Sequence, residues 1–243
     1  MFGLAYCAGV NAGRDALREI VMALPVAADS PAPSPDVRVV DHAAGYVIKK
    51  DLRGVTHFLL LPLARIDGLE APALREAGAI PYFAHAWHHR GLVAQAGGAP
   101  LRDEQLGVVI NPLRSRTQDH LHLHLDQVLP ELTSQLAAHG PTQDLRWEAM
   151  VWNDRVLQVL RIPRAEFAGV NPFRLFDDAA SLAGIELEAL MLLLTSGADQ
   201  RGAPVFYLVA GRYGEMATGG WDFENLMVHQ PPPAGASRAS GAS

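Results

Sequence analysis

The chain has 243 residues and a single cysteine, Cys7, so no disulfide can form within it and no cysteine-based zinc site can be assembled. One cysteine fits a reducing compartment and equally an oxidising one where cysteine is not used, so the compartment stays open. Long basic runs are missing, and the formal net charge is −6, which argues against a nucleic-acid backbone as partner. No stretch approaches the roughly 20 apolar residues that span a bilayer. Residues 1–10 are apolar, but no basic residue precedes them, so they read as a plain terminus. The tail of a cut signal or a lipid-modified Cys7 is the alternative, and Tyr6 fits such a processing site poorly.

What is present is the balance of an ordinary globular protein, with 49% hydrophobic and 19% charged residues. The length suits one large domain or two small ones. Gly13 to Ala23 has the spacing of a short amphipathic helix, ended by Pro25 and followed by a proline-rich connector to Pro35. That segment, 1–35, reads as an appendage. Gly45–Asp51 and Thr56–Leu63 read as strands joined at Leu52-Arg53-Gly54, and the second is apolar on both faces. A helix is predicted over Ile80–Ala96 and strands over Leu106–Ile110 and His120–Val128. After Gly140-Pro141 the pattern restarts: a hairpin across Asn153-Asp154, a helix over Phe173–Leu182, and strands over Leu190–Thr195 and Val205–Ala210. Residues 36–230 thus form the main body, as one domain or as half-domains 36–140 and 141–230. Residues 231–243 read as a disordered tail.

The chemistry concentrates in His120-Leu-His122-Leu-His124. A strand repeats every two residues, so the three imidazoles share one face while Leu121, Leu123 and Leu125 bury on the other. Gln118 shares the histidine face if the strand starts early enough. One imidazole can attack phosphorus in line, a neighbour can bind non-bridging oxygens, and another polar group can assist the departing oxygen. Imidazole suits this task because its ordinary pKa lies near 6.5. The scheme needs no metal. A zinc pair built on HxH is the competing reading, with His85, His88 and His89 as further ligand candidates. Those three read more simply as a solvated helix face. Phe83, Trp87, Phe173 and Phe176 read as core.

The run His120-Leu-His-Leu-His-Leu125 resembles the signature of the histidine-triad nucleotide hydrolases and transferases. Val108-Val-Ile-Asn111 and His57-Phe-Leu-Leu-Leu-Pro62 are similar to strands of the same superfamily. Ala44-Gly-Tyr-Val-Ile-Lys-Lys-Asp51, Leu60-Leu-Pro62, Arg65-Ile-Asp-Gly68 and Arg116-Thr-Gln-Asp-His-Leu-His-Leu-His124 together resemble the bacterial CDP-diacylglycerol pyrophosphatase family. The matches cover roughly residues 44–130. Ser115 stands where that family has Gly, Asp119 where it has Asn, and the family's hydrophobic N-terminal anchor is absent or much reduced here.

The resemblance implies an α+β fold: a histidine-triad-like antiparallel sheet of about five strands, with helices packed on one face and a C-terminal half extending it. It implies hydrolysis of CDP-diacylglycerol to CMP and phosphatidate through a nucleotidyl intermediate on His122, without a cofactor. His120 would position His122, and His124 and Gln118 would contact phosphate oxygens. Asn111, Arg116 and Thr117 are further candidates. For Arg116 a solvated loop arginine and for Asn111 a turn residue before Pro112 are the plainer alternatives. The partners implied are the lipid nucleotide and a membrane surface, placing the chain at the bacterial inner membrane facing the periplasm. A soluble form and a homodimer are left open. A soluble nucleotide substrate and a metal-binding protein without turnover are the competing functions.

Overall fold

The computed structural model describes residues 13–24, 35–214 and 221–229. Cys7, most of the proline-rich connector and the C-terminal tail lie outside them. In chain order the elements are α1 (Ala16–Met22), β1 (Val37–Asp41), β2 (Tyr46–Lys50), β3 (Phe58–Pro62), α2 (Tyr82–His88) and α3 (Gly91–Gly97). There follow β4 (Leu106–Ile110), β5 (Leu123–Val128), α4 (Pro130–His139), β6 (Trp147–Trp152) and β7 (Arg155–Pro163). Then come α5 (Pro172–Ala183), β8 (Leu190–Ala198), β9 (Pro204–Arg212) and the short β10 (Met227–Val228). None of the described helices is long and apolar enough to cross a membrane.

The ten strands of the described residues join one antiparallel sheet in the order β1-β2-β3-β5-β4-β8-β9-β7-β6, with β10 pairing the end of β5. The expected five strands are therefore only the first part of the sheet. Within it, β2 to β5 and β6 to β9 repeat one plan: a hairpin, a helical stretch, then two strands, the last of which inserts beside the hairpin. β4 and β8 pair antiparallel between these two units, Gly107 opposite Thr195 and Ile110 opposite Leu192. The β6–β7 hairpin turns at Asn153 and Asp154, with φ of 46° and 63°. Two successive left-handed residues match the right-handed twist of the flanking strands, and Asn and Asp tolerate that region best after Gly.

Helices flank both faces rather than one. Ile48, Leu60, Val108, Leu123, Leu192 and Leu208 point to the face covered by α2, α3 and α5, with Phe83 packed on Phe173 at 5.2 Å between ring centres. Phe83, Trp87, Phe173 and Phe176 are core residues. The alternate residues turn to the opposite face, where two separate apolar clusters form. Val47, Leu59 and Leu61 pack against Leu17, Val21 and Leu24 of the α1 segment. Val109, Leu193 and Val209 pack against Leu132 and Leu136 of α4 and against Phe223 and Leu226. Strands apolar on both sides cannot leave either face to water, which is why one layer of helices is not enough.

α1 is thus a packed part of the fold, not an appendage. Arg14 forms a bidentate pair with Asp119 at 2.7 Å for each contact, and Arg18 reaches Asp67 at 2.9 Å. The helix predicted over Ile80–Ala96 is two helices, broken at His89-Arg90. The histidines there do not form a purely solvated face: His85 stacks on Tyr46 and His89 Nε2 lies 2.8 Å from the Tyr46 hydroxyl, while His88 is exposed.

The second unit is tied down by Arg161 on β7. Its buried guanidinium meets Asp144 at 2.5 Å and Asp199 at 3.6 Å, and donates to the carbonyls of Pro141 and Thr142. Arg161→Met is expected to lower unfolding free energy by about 2 kcal/mol, because it strips two carboxylates, one of them half exposed, and two carbonyls of their shared cation. Urea denaturation checks this; a loss below about 0.5 kcal/mol would mean the cluster behaves like surface pairs.

Candidate functional site

Between the two apolar clusters on one face of the sheet, the described residues leave a gap. A cavity of about 450 Å³ opens there. Its floor comes from β2, β3 and β5, one wall from α1, another from the 112–118 loop, and the last from Asp222 and Glu224. The register brings Lys49, Leu59, His124 and Val109 into one row across neighbouring strands.

β5 begins at Leu123, not at His120. The preceding segment is extended but held differently: Leu121 N donates to the Ile66 carbonyl at 2.7 Å, so residues 120–122 follow the 65–68 loop instead of continuing the ladder with β3. The alternation persists, with Leu121 and Leu123 in the core. His122 and His124 line the cavity, whereas His120 does not. His120 is buried, with Nε2 2.9 Å from the Pro62 carbonyl.

His122 Nδ1 lies 2.7 Å from the carbonyl oxygen of His120. A carbonyl only accepts, so Nδ1 carries the proton and Nε2 of the neutral ring keeps its lone pair. Burial, then the neighbouring His124, lowers the His122 pKa to about 4. The ring is therefore neutral at pH 7, and its nucleophilic nitrogen is the one left for the cavity.

His124 heads a relay. Its Nδ1 is 2.9 Å from Nε2 of His57, and Nδ1 of His57 is 3.3 Å from Asp51 Oδ2. At the other side His124 Nε2 lies 3.4 Å from Glu224 Oε1. Burial lowers the His124 pKa to about 4 and pushes His57 far below its ordinary value. Two neutral rings hold two protons for three contacts. Either arrangement of the two protons therefore leaves one of the outer contacts, at 3.3 and 3.4 Å, without a hydrogen, and in one of them His124 Nε2 is the donor. The ring centres of His122, His124, His57 and His229 follow one another at 4.9, 5.0 and 4.9 Å. His229 ends the row 3.4 Å from the fully buried Asp126, whose carboxylate raises its pKa. Donor atoms of His57, Asp126 and His229 all lie within 4.8 Å of one another, so these residues have the side chains to hold a metal ion.

The remaining candidates are nearby but mostly engaged. Arg116 is buried; it meets both oxygens of Glu70 at 2.7 Å and Asp119 at 3.4 Å, so it is not a solvated loop arginine. It lies over Gly68, where a Cβ would come within 1.8 Å of its guanidinium, so a side chain there would have to displace the Arg116–Glu70 pair. Gln118 lines the cavity, but its Oε1 accepts from Leu17 N at 3.1 Å and its Nε2 donates to the Gly13 carbonyl. It fastens α1. Asn111 is buried and donates to Glu224, leaving its own Oδ1 without a partner. Thr117 is an exposed lining residue. Asp119, hydrogen-bonded by Arg14, has its carboxyl pKa lowered to about 2 and spends its charge on α1. Asp51, His57, Asp126, Glu224 and His229 escape sequence reasoning. Their one legible signal is His57 at the head of an otherwise apolar strand run.

The α+β fold thus presents a His122 of fixed tautomer and a buried His124 to a cavity that carries cations, carboxylates and an apolar wall. Residues 12–230 match the CDP-diacylglycerol pyrophosphatase family, and the chain belongs to it. A Yersinia pestis protein named CDP-diacylglycerol pyrophosphatase is 34% identical over 154 residues, covering 62% of this chain. The chain spans 58% of that relative's length.

Proposed function

We propose that this chain hydrolyses the phosphoanhydride of CDP-diacylglycerol to CMP and phosphatidate through a nucleotidyl intermediate on His122, in a histidine-triad-like fold. The observation that carries the reading is the Nδ1–H of His122 spent on the His120 carbonyl, which leaves Nε2 as the neutral nucleophile of a residue lining the cavity. Family membership supports the substrate. The apolar lining from Ala16, Leu17 and Ile20 supports a lipid rather than a fully polar leaving group.

Nε2 attacks the α-phosphorus, and the bond to the bridging oxygen breaks with its electron pair going to phosphatidate. That phosphate leaves as a stable anion and needs only a hydrogen bond, which His124 Nε2–H supplies once the relay shifts toward it. Water then attacks phosphorus, the N–P bond breaks, and the water proton passes to the Glu224 carboxylate and from there to solvent. His122 returns as neutral imidazole and CMP departs. His120, which supplies the carbonyl to His122, is a positioning residue. No step is routed through a metal.

The test is to quench a reaction of enzyme with cytidine-labelled CDP-diacylglycerol in detergent micelles and map the adduct. A base-stable, acid-labile CMP on the peptide containing His122 is the expected result, with turnover unchanged by EDTA. Turnover of soluble CDP-alcohols but not of the lipid would overturn the substrate. Loss with EDTA would overturn the mechanism.

A further inference from the structure

The cavity holds three cationic side chains, and two are already neutralised. Arg116 is bound by Glu70 and Asp119, and Arg53 pairs with Glu224 at 3.3 Å. The third, Lys49, is buried at 4% exposure, and among the described residues no carboxylate lies within ion-pair distance of it. Its ammonium donates to the Lys50 carbonyl at 2.8 Å and to nothing else in the described structure. An ammonium has three donors, so two remain for whatever occupies the cavity that Lys49 lines. An uncompensated buried cation is costly unless an anion completes it. The chain has only two lysines, and the other shows the contrast. Lys50 spends its ammonium on the carbonyls of Asp51, Arg53 and Gly54, as part of the β2–β3 turn.

Position says which anion. Lys49 is opposite Leu59, and Leu59 is opposite His124, so Lys49 rises from the same face two strands from the relay, roughly 10 Å away at the backbone. Leu17, Ile20, Leu52 and Leu59 line that side of the cavity, together with the carboxylates of Asp36 and Asp51. Asp222 and Glu224 line the cavity beside His124, where Glu224 is held by Arg53 and Asn111.

We infer that Lys49 binds the second phosphate of the substrate, the one that leaves, and that α1 with Leu52 and Leu59 receives the glycerol and acyl portion attached to it. The inference presupposes the phosphoanhydride chemistry at His122 and fixes the direction in which the substrate lies. As the anhydride bond breaks, negative charge grows on that phosphate, so Lys49 acts more strongly on the transition state than on the bound ground state.

Two substrates separate this role from general support of the site. CDP-diacylglycerol in micelles carries the second phosphate, and the 4-nitrophenyl ester of CMP carries the same α-phosphorus without it. In Lys49→Met the ratio of kcat/KM for the lipid to that for the ester is expected to fall on the order of 10²-fold, largely in kcat. Lys49→Arg, which keeps the charge, is expected to recover much of the ratio. An unchanged ratio, or equal loss on both substrates, overturns the assignment of Lys49 while leaving the hydrolase reading intact. A wild type inert toward both substrates overturns the hydrolase reading, and the subsite falls with it.

Discussion

His122→Ala is expected to lower CMP release from CDP-diacylglycerol by on the order of 10⁴-fold or more, with the fold intact. The size follows from the role. Without the imidazole there is no covalent route, and what remains is the help that a positioned cation and hydrogen bonds give to direct attack by water. The fold should survive because the ring's hydrogen bond goes to the carbonyl two residues back and anchors no other element. Far-ultraviolet circular dichroism and the urea midpoint check that. His122→Gly adds a sharper arm: exogenous imidazole can occupy the vacated space and is expected to restore turnover in proportion to its concentration. The corresponding change at His124 should act differently. It removes a hydrogen-bond donor and not the nucleophile, so the adduct on His122 should still form, more slowly, and persist longer. A His122→Ala variant that keeps more than a tenth of wild-type turnover would sink the nucleophile assignment.

How much of this could be read without the structure depended on how local each signal was. β4, Leu106–Ile110, coincides with its predicted bounds, since five apolar residues between polar flanks leave little choice. The β6–β7 hairpin was equally legible, because Asn153-Asp154 encodes its own turn. α4 was not: Leu129, Leu132 and Leu136 have helical spacing, but the helix follows β5 without a break, so the strand pattern masks it. β1 was hidden behind the proline-rich connector. The site divides in the same way. His122 and His124 could be placed by spacing alone, because period two holds through an extended chain whether or not it is hydrogen-bonded as a strand. His57 meets His124 only through the pairing of β3 with β5, and Asp51 follows from the turn beside it. Glu224 and His229 arrive because β10 docks on the end of β5, a contact about 100 residues apart in sequence. Gln118 shows the converse. Its position on the histidine side was legible, but its amide is used by the backbone of α1, which no local pattern reveals.

Acid should unfold this protein earlier than its carboxylates alone would dictate. The His122 and His124 pKa values both fall from 6.5 to about 4 on folding, mainly through burial. A base with a lower pKa when folded binds protons preferentially in the unfolded chain, so stability falls as pH drops. The contribution is complete above about pH 6.5, is lost between there and about pH 4, and changes little below. A gap of that size is worth roughly 3 kcal/mol per imidazole, a large share of the stability of an ordinary domain. His57 and His120, also lowered by burial, act in the same direction. His229 acts in the opposite one: its pKa is raised beside Asp126, so its contribution is present at low pH and fades as pH rises through the folded value. Asp119, lowered to about 2 by Arg14, loses its contribution only below pH 3.8, outside this window. Urea unfolding from pH 7.5 to pH 4 should therefore show a slope that flattens in a His122→Asn, His124→Asn double variant. Below saturation with substrate, kcat/KM should hold well below pH 6.5, since His122 stays unprotonated until near pH 4 wherever the fold persists. A wild-type slope retained in the double variant would place the acid sensitivity elsewhere. An activity loss centred at pH 6.5 would mean the nucleophile is far better solvated than its burial implies.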